Sequence, residues 1–198
     1  MIRAFIKSVL KIVTIILFRV KVVGKENIEK GKAYLVCPNH ISNWDPPTMV
    51  GALKRNDVYV LAKEELFING FVKWLAKRTK VIPVKRGKHD TSLLKTTTKV
   101  LKENHMVLLF PEGTRNGIEK KGKIQNGAVL MSLMSGAEVI PVGIQTKKKY
   151  KIFSKVKINI GKPMDFSEFK AKKGEKETLD TLSKKVMDEM IRLTNEEI

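Results

Sequence analysis

Seven short apolar runs, at residues 19–23, 33–37, 58–62, 81–84, 105–110, 139–145 and 155–160, alternate with stretches of helical periodicity at 46–52, 70–77, 91–104, 125–134 and 178–194. This alternation narrows the accessible folds more than any other feature, because strands separated by helices are the pattern of an α/β sheet covered on both faces. The expected architecture is one α/β domain over residues 19–198, a mostly parallel mixed sheet flanked by helices. The closing helix, about 178–194, sets Leu179, Leu182, Val186, Met190 and Leu193 on one face, which is core spacing. Pro141, inside the run at 139–145, is expected to mark an edge strand or a bulge, since it cannot donate to a ladder.

Composition suits a single core: 42% of the 198 residues are apolar and 30% charged, which argues against disorder and against a polytopic membrane protein. The formal charge is +19, and it belongs to the main body: residues 1–164 hold 32 basic and 11 acidic residues, residues 165–198 hold 7 and 9. Such a surface attracts phosphates, anionic lipid or nucleic acid, and charge alone does not choose among them. Cys37 is the only cysteine, so no intramolecular disulfide forms and a reducing, intracellular location is expected. His40, His89 and His105 show no paired-ligand spacing, so no metal site is expected.

Residues 2–18 separate lipid from nucleic acid. Arg3, Lys7, Lys11 and Thr14 fall on one narrow helical stripe, and Ile2, Phe5, Ile6, Val9, Leu10, Ile12, Val13, Ile16 and Leu17 cover the rest. The longest charge-free stretch there is seven residues, 12–18, against the ~20 that a bilayer span needs. Lys7 and Lys11 also interrupt what would be the core of a signal peptide. Residues 1–18 are therefore read as an amphipathic helix lying in a membrane interface, basic stripe toward the headgroups, with packing on the core as the alternative. A nucleic-acid-binding module would also explain the charge, but aromatic residues are only 7%, with none clustered for stacking and no zinc spacing.

Candidate chemistry follows the strands. The segment from Pro38 to Pro47 contains His40 and Asp45, with Asp45 a candidate N-cap and Pro46 in the first helical turn. On a continuous helix the two would point about 140° apart, so contact requires a bent loop. An Asp bonded to one imidazole nitrogen fixes the tautomer and leaves the other nitrogen to remove a proton. A capping Asp beside a structural His would look the same in sequence. In Phe110-Pro111-Glu112-Gly113-Thr114-Arg115 an apolar strand ends in a turn whose amides and guanidinium suit an anion, with a surface Glu-Arg turn as the alternative. Another strand, Val81 to Val84, runs into Lys85, Arg86 and Gly87. The lysine run at 147–149 reads as a solvated connection or a basic rim near a membrane.

In this order the blocks resemble those of the glycerolipid acyltransferase superfamily, most closely the 1-acylglycerol-3-phosphate O-acyltransferases. The resemblance rests on Asn-His-x-Ser-x-x-Asp at 39–45, Ala-Lys-x-Glu-Leu-Phe at 62–67, Ile-Pro-Val-x-Arg at 82–86, Phe-Pro-Glu-Gly-Thr-Arg at 110–115 and Pro-Val at 141–142. Lys80 stands where the family often has glycine and Asn116 where serine is usual, departures that touch acceptor or donor preference rather than a reacting group. The resemblance implies His40 as general base and Asp45 as its orienting partner, with Lys63, Arg86 and Arg115 meeting an acceptor phosphate. Gly113 and Thr114 would belong to the same substrate-binding turn, with Glu112 orienting Arg115 or a glycerol hydroxyl. It further implies attack of a lysophosphatidic acid hydroxyl on an acyl thioester to give phosphatidic acid, with acyl-CoA or acyl-carrier protein as co-substrate and no other cofactor. Another lysophospholipid acceptor, or a non-catalytic lipid-surface protein on the same fold, would fit the same pattern. The implied location is the cytoplasmic face of the cell membrane, as a peripheral or monotopic protein on an anionic surface, with no nucleic-acid partner.

Overall fold

A computed structural model describes residues 8–9, 12–14, 16–53, 55–67, 70, 80–84, 91–113, 125–146, 150–151 and 153–195. Its sheet has seven strands: β1 (Arg19–Val23), β2 (Tyr34–Pro38), β3 (Val58–Lys63), β4 (Val81–Val84), β5 (Met106–Leu108), β6 (Glu138–Thr146) and β7 (Lys155–Ile160), in the order β1-β7-β6-β2-β5-β3-β4. All neighbours run parallel except the antiparallel pair β6 and β7. The helices are α1 (Asp45–Ala52), α2 (Thr91–Lys102), α3 (Gly127–Ser135) and α4 (Lys176–Asn195). The mixed α/β sheet expected from the alternation is the observed one. The expected helix at 70–77, apart from Gly70, and the lysines at 147–149 lie outside the described residues.

Alternation along the central strands builds two cores. In β2, Leu35 and Cys37 point to a layer closed by Val100 and Leu101 of α2, Val129, Met131 and Leu133 of α3, and Leu182, Val186 and Met190 of α4. Tyr34 and Val36 point the other way, to Phe18 and to Met49 of α1, with Leu53 just beyond it. Every residue of β2 is buried, as a central parallel strand requires. The helix α4 lies so close over β6 that a Cβ on Gly143 would come 2.4 Å from the Leu193 backbone carbon. Its last carbonyls, which no helical amide can reach, are met by the sheet: Asn159 Nδ2 donates to Leu193 O at 2.7 Å, and Gln145 Nε2 donates to Leu193 O and Thr194 O.

One expectation is narrowed by the structure and one needs correction. Pro141 is in an interior strand, between β2 and β7, rather than at an edge. The bulge alternative holds instead: the pairing steps from Val142 with Ile160 to Val139 with Met164, so Ile140 and Pro141 face Gly161, Lys162 and Pro163. The missing amide of Pro141 sits at that break in the ladder, where its carbonyl still accepts from Gly161 N at 2.9 Å. Thr14, expected on the outward polar stripe, is 2% exposed, while Ile12 and Ile16 are 56% and 62% exposed. The described turns of the N-terminal helix therefore put Thr14 against the domain and aliphatic side chains outward. Among the described residues no helix is long and apolar enough to cross a membrane.

Candidate active site

The carboxyl ends of β2, β3, β4 and β5 lie side by side, because strand order inserts β5 between β2 and β3. Open α/β sheets present their ligand sites at such an edge. His40 is two positions past β2, Lys63 ends β3, and Glu112 is four positions past β5. Arg86, two positions beyond β4 in sequence, and Thr114 and Arg115, which follow Gly113, are outside the described residues.

The loop after β2 bends tightly. His40 Nδ1 and Asp45 Oδ2 are 2.7 Å apart, and the same carboxylate oxygen accepts the backbone N–H groups of Ile41 and Ser42, each at 2.7 Å. Asp45 is fully buried, and His40 keeps a side-chain exposure of 16%. Asp45 is not the N-cap expected from sequence. It is the first residue of α1, after Trp44, and its side chain reaches back to the preceding loop amides instead of forward to helical ones. That reversal closes the His40 to Asp45 contact which a continuous helix would forbid.

Other groups clamp the loop. Asn39, 2% exposed, donates from Nδ2 to Ile144 O at 3.0 Å and accepts from Ile144 N at Oδ1 at 2.6 Å. The Phe110 ring lies 4.3 Å from the His40 ring, centroid to centroid. Glu112 Oε1 accepts the His40 backbone N–H at 3.0 Å, a partner 72 positions away that sequence reading does not assign to it. Burial, with the Asp45 charge adding to it, raises the Glu112 carboxyl to about 7 against the pull of the His40 amide. Gly113 has φ +65°, a left-handed conformation that favours glycine in the turn after β5.

The two nearby alternatives to His40 as reacting group are otherwise engaged. Burial pushes the Cys37 thiol up to about 12, the wrong direction for a thiolate nucleophile. Ser42 Oγ accepts the Trp44 amide at 3.2 Å, closing a turn. Sequence reasoning places Asn39 and Phe110 inside the motif blocks without giving either a role, and it does not assign Glu112 its bond to the His40 backbone.

Comparisons with known proteins bear on this site. A family model described as Acyltransferase matches residues 19–145. A 1-acyl-sn-glycerol-3-phosphate acyltransferase of Streptococcus pneumoniae is 30% identical over 167 residues, covering 82% of this chain and 61% of its own, so the chain spans about three fifths of that relative. One from Bacillus subtilis is 31% identical over 169 residues, 83% of each chain. The fold is shared with the crystal structure of the LPA acyltransferase PlsC from Thermotoga maritima, with a TM-score of 0.66, 24% identity, and coverage of 96% of this chain and 81% of that one. The family match spans β1 to β6 and takes in the whole His40 to Asp45 loop, and by it, together with the Bacillus relative, this chain belongs to the acyltransferase family.

Proposed function

We propose that the chain moves an acyl group from an acyl thioester to the free hydroxyl of lysophosphatidic acid, giving phosphatidic acid. The observation that carries this is the His40 Nδ1 to Asp45 Oδ2 contact at 2.7 Å on a loop held rigid from three sides. With Nδ1 engaged, Nε2 is the nitrogen available to take a proton. The acceptor hydroxyl gives its proton to Nε2 as its oxygen bonds to the thioester carbon. The tetrahedral intermediate then collapses, the carbon–sulfur bond breaks, and the leaving thiolate recovers that proton from the imidazolium. The products are an ester and a free thiol, and no acyl-enzyme forms. Lys63, Arg86 and Arg115 are proposed to hold the acceptor phosphate, and the activity for which the Streptococcus and Bacillus relatives are named favours that acceptor.

The experiment is direct. Purified protein is given labelled acyl-CoA, or acyl-carrier protein, with lysophosphatidic acid, lysophosphatidylcholine or monoacylglycerol in separate reactions. Labelled phosphatidic acid is expected, with the uncharged acceptor much poorer; transfer to none of the three would sink the reading. The same assay distinguishes the two donors.

Membrane docking is proposed on an exposed apolar surface. Val9, Ile12 and Ile16 are 41%, 56% and 62% exposed, and Val13 is exposed among them. Trp44 packs edge-on against Phe18 at the end of this helical segment, and Phe153, 66% exposed at φ +65°, donates its amide to Leu17 O at 2.6 Å. The occupant is the interface of an anionic bilayer, which complements the +19 charge. The double substitution Ile12→Asp with Ile16→Asp removes two aliphatic anchors of ~1.5–3 kcal/mol each, and should cut co-sedimentation with anionic vesicles at least tenfold while leaving the melting curve in place. Undiminished sedimentation would overturn the docking surface.

A further inference from the structure

The Asp45 carboxylate is satisfied on one side only. Oδ2 takes His40 and two backbone amides, while Oδ1, enclosed by protein, takes no hydrogen bond. Besides Glu112 Oε2, which is also without a bonded partner, two buried hydroxyls belong to the same neighbourhood, Oγ1 of Thr48 on the first turn of α1 and the hydroxyl of Tyr150 from the connection between β6 and β7. The groups that act on the Tyr150 hydroxyl are the Asp45 carboxylate and the Thr48 hydroxyl. None of the three forms a hydrogen bond of ordinary geometry, yet their chemistry is complementary. The phenol donates, the carboxylate only accepts, and the threonine hydroxyl can donate to the phenol oxygen. Native proteins rarely leave a buried polar atom unpaired, and a carboxylate oxygen with two hydroxyls beside it is most simply satisfied by them.

The ring of Tyr150 is placed for this by packing. It stands edge-on to Phe18, centroids 4.9 Å apart at 86°, and Phe18 stands edge-on to Trp44, the residue before Asp45, at 5.4 Å and 68°. Phe18 is 2% exposed, so this aromatic row is wedged between the start of β1 and the start of α1. Burial first, and then the Asp45 charge, hold the phenol above its ordinary range, so it stays a donor at every working pH.

We propose that Tyr150 is a positioning residue for the reaction: its hydroxyl donates to Asp45 Oδ1, keeps Oδ2 turned to His40, and weakens the grip of the pair on a proton. This rests on the reading of His40 and Asp45 as the general-base pair. A hydrogen bond donated to the carboxylate disperses its negative charge. Removing that donor leaves more charge for the imidazolium, so the pair keeps its proton to higher pH. The titratable groups facing the pair from the packed elements are Glu112, from the loop after β5, and Tyr150 itself. The Glu112 carboxyl is raised to about 7 and faces the pair, so the comparison is made both in the native background and in Glu112→Gln.

The test is Tyr150→Phe, which deletes one oxygen and keeps the ring that Phe18 packs against. The acidic limb of the kcat/KM profile should move up by about half to one pH unit, and kcat near pH 6.5 should fall roughly tenfold, the scale of one charge-assisted hydrogen bond. The KM for the acceptor should stay within twofold. Ser183→Ala, which removes a buried unbonded hydroxyl on α4 far from the pair, should leave the profile where it is. In parallel, the His40 ring is followed by nitrogen-15 NMR in the resting protein, and its titration midpoint should rise in Tyr150→Phe. An unmoved midpoint overturns the proposal, whatever happens to turnover or to the melting temperature. If the native protein transfers no acyl group to any acceptor, the proposed reaction fails, while the NMR titration still decides whether Tyr150 controls the pair.

Discussion

Replacing His40 with alanine should lower acyl-transfer turnover by ~10² to 10⁴, the range that positioned general bases contribute, with the fold and vesicle binding retained. Retention is expected because the loop is held by groups that alanine keeps. Asn39 still clasps Ile144, the His40 backbone amide still donates to Glu112, and Asp45 still accepts from Ile41 and Ser42. Asp45→Asn should cost less, because an amide oxygen can accept the same two backbone donors, while the charge behind the imidazole and the acceptor proposed for Tyr150 are lost. Steady-state assays with lysophosphatidic acid, paired with melting curves for each variant, are the measurement. Turnover in His40→Ala within tenfold of the native protein would contradict the mechanism.

The largest effect on stability should come from the opposite edge of the sheet. Arg55 has 7% side-chain exposure and sits where the loops leading into β2, β3 and β5 meet. Its guanidinium donates from Nε to Asp57 Oδ1 at 2.9 Å, from Nη1 to Glu29 O at 3.1 Å and from Nη2 to Asn104 O at 2.9 Å, with shorter contacts to Lys32 O and Asp57 Oδ2. Burial alone would raise the Asp57 carboxyl, and Arg55, helped by the His105 side chain, brings it below its ordinary value instead. Arg55→Ala would leave a half-buried carboxylate and three loop carbonyls without their donor, a loss of about 3–5 kcal/mol. At this chain length that lowers the melting temperature on the order of 10 °C. Arg55→Lys should recover only part, since an ammonium cannot span the planar fork. Turnover below the transition should be unaffected, because the partners of Arg55 named above lie on the loops that lead into the strands, whereas His40 follows the carboxyl end of β2. A melting temperature within two degrees of the native protein, read in urea as well as by heating, would show the cluster to be dispensable.

Features set by residues close in sequence are legible in the amino-acid order. The strand runs at 19–23, 81–84 and 155–160 are the observed β1, β4 and β7, and the spacing of Leu182, Val186, Met190 and Leu193 is the buried face of α4. The two residues with the clearest chemistry, His40 and Asp45, are likewise five positions apart, so a bent loop can be inferred from Pro46 and Pro47. Even there the detail escapes: a forward-pointing N-cap and a backward-pointing carboxylate share one local pattern, and only the folded loop separates them. The rule about missing donors offers Pro141 an edge or a bulge, and a one-residue register step is what lets an interior strand carry it.

What the amino-acid order determined by itself was periodicity, and with it the elements, their burial pattern and the chemistry available at strand ends. Strand order was decided only in the folded molecule. Because β5 settles between β2 and β3, the loops bearing His40 and Glu112 become neighbours across 72 positions, and the connection after β6 brings Tyr150 to Asp45 across a still longer separation. The same holds for Arg55, whose partners come from three loops. The physical reason is that side-chain period and turn chemistry act over a few residues, whereas the pairing of distant strands is settled by how two apolar layers close over the whole sheet.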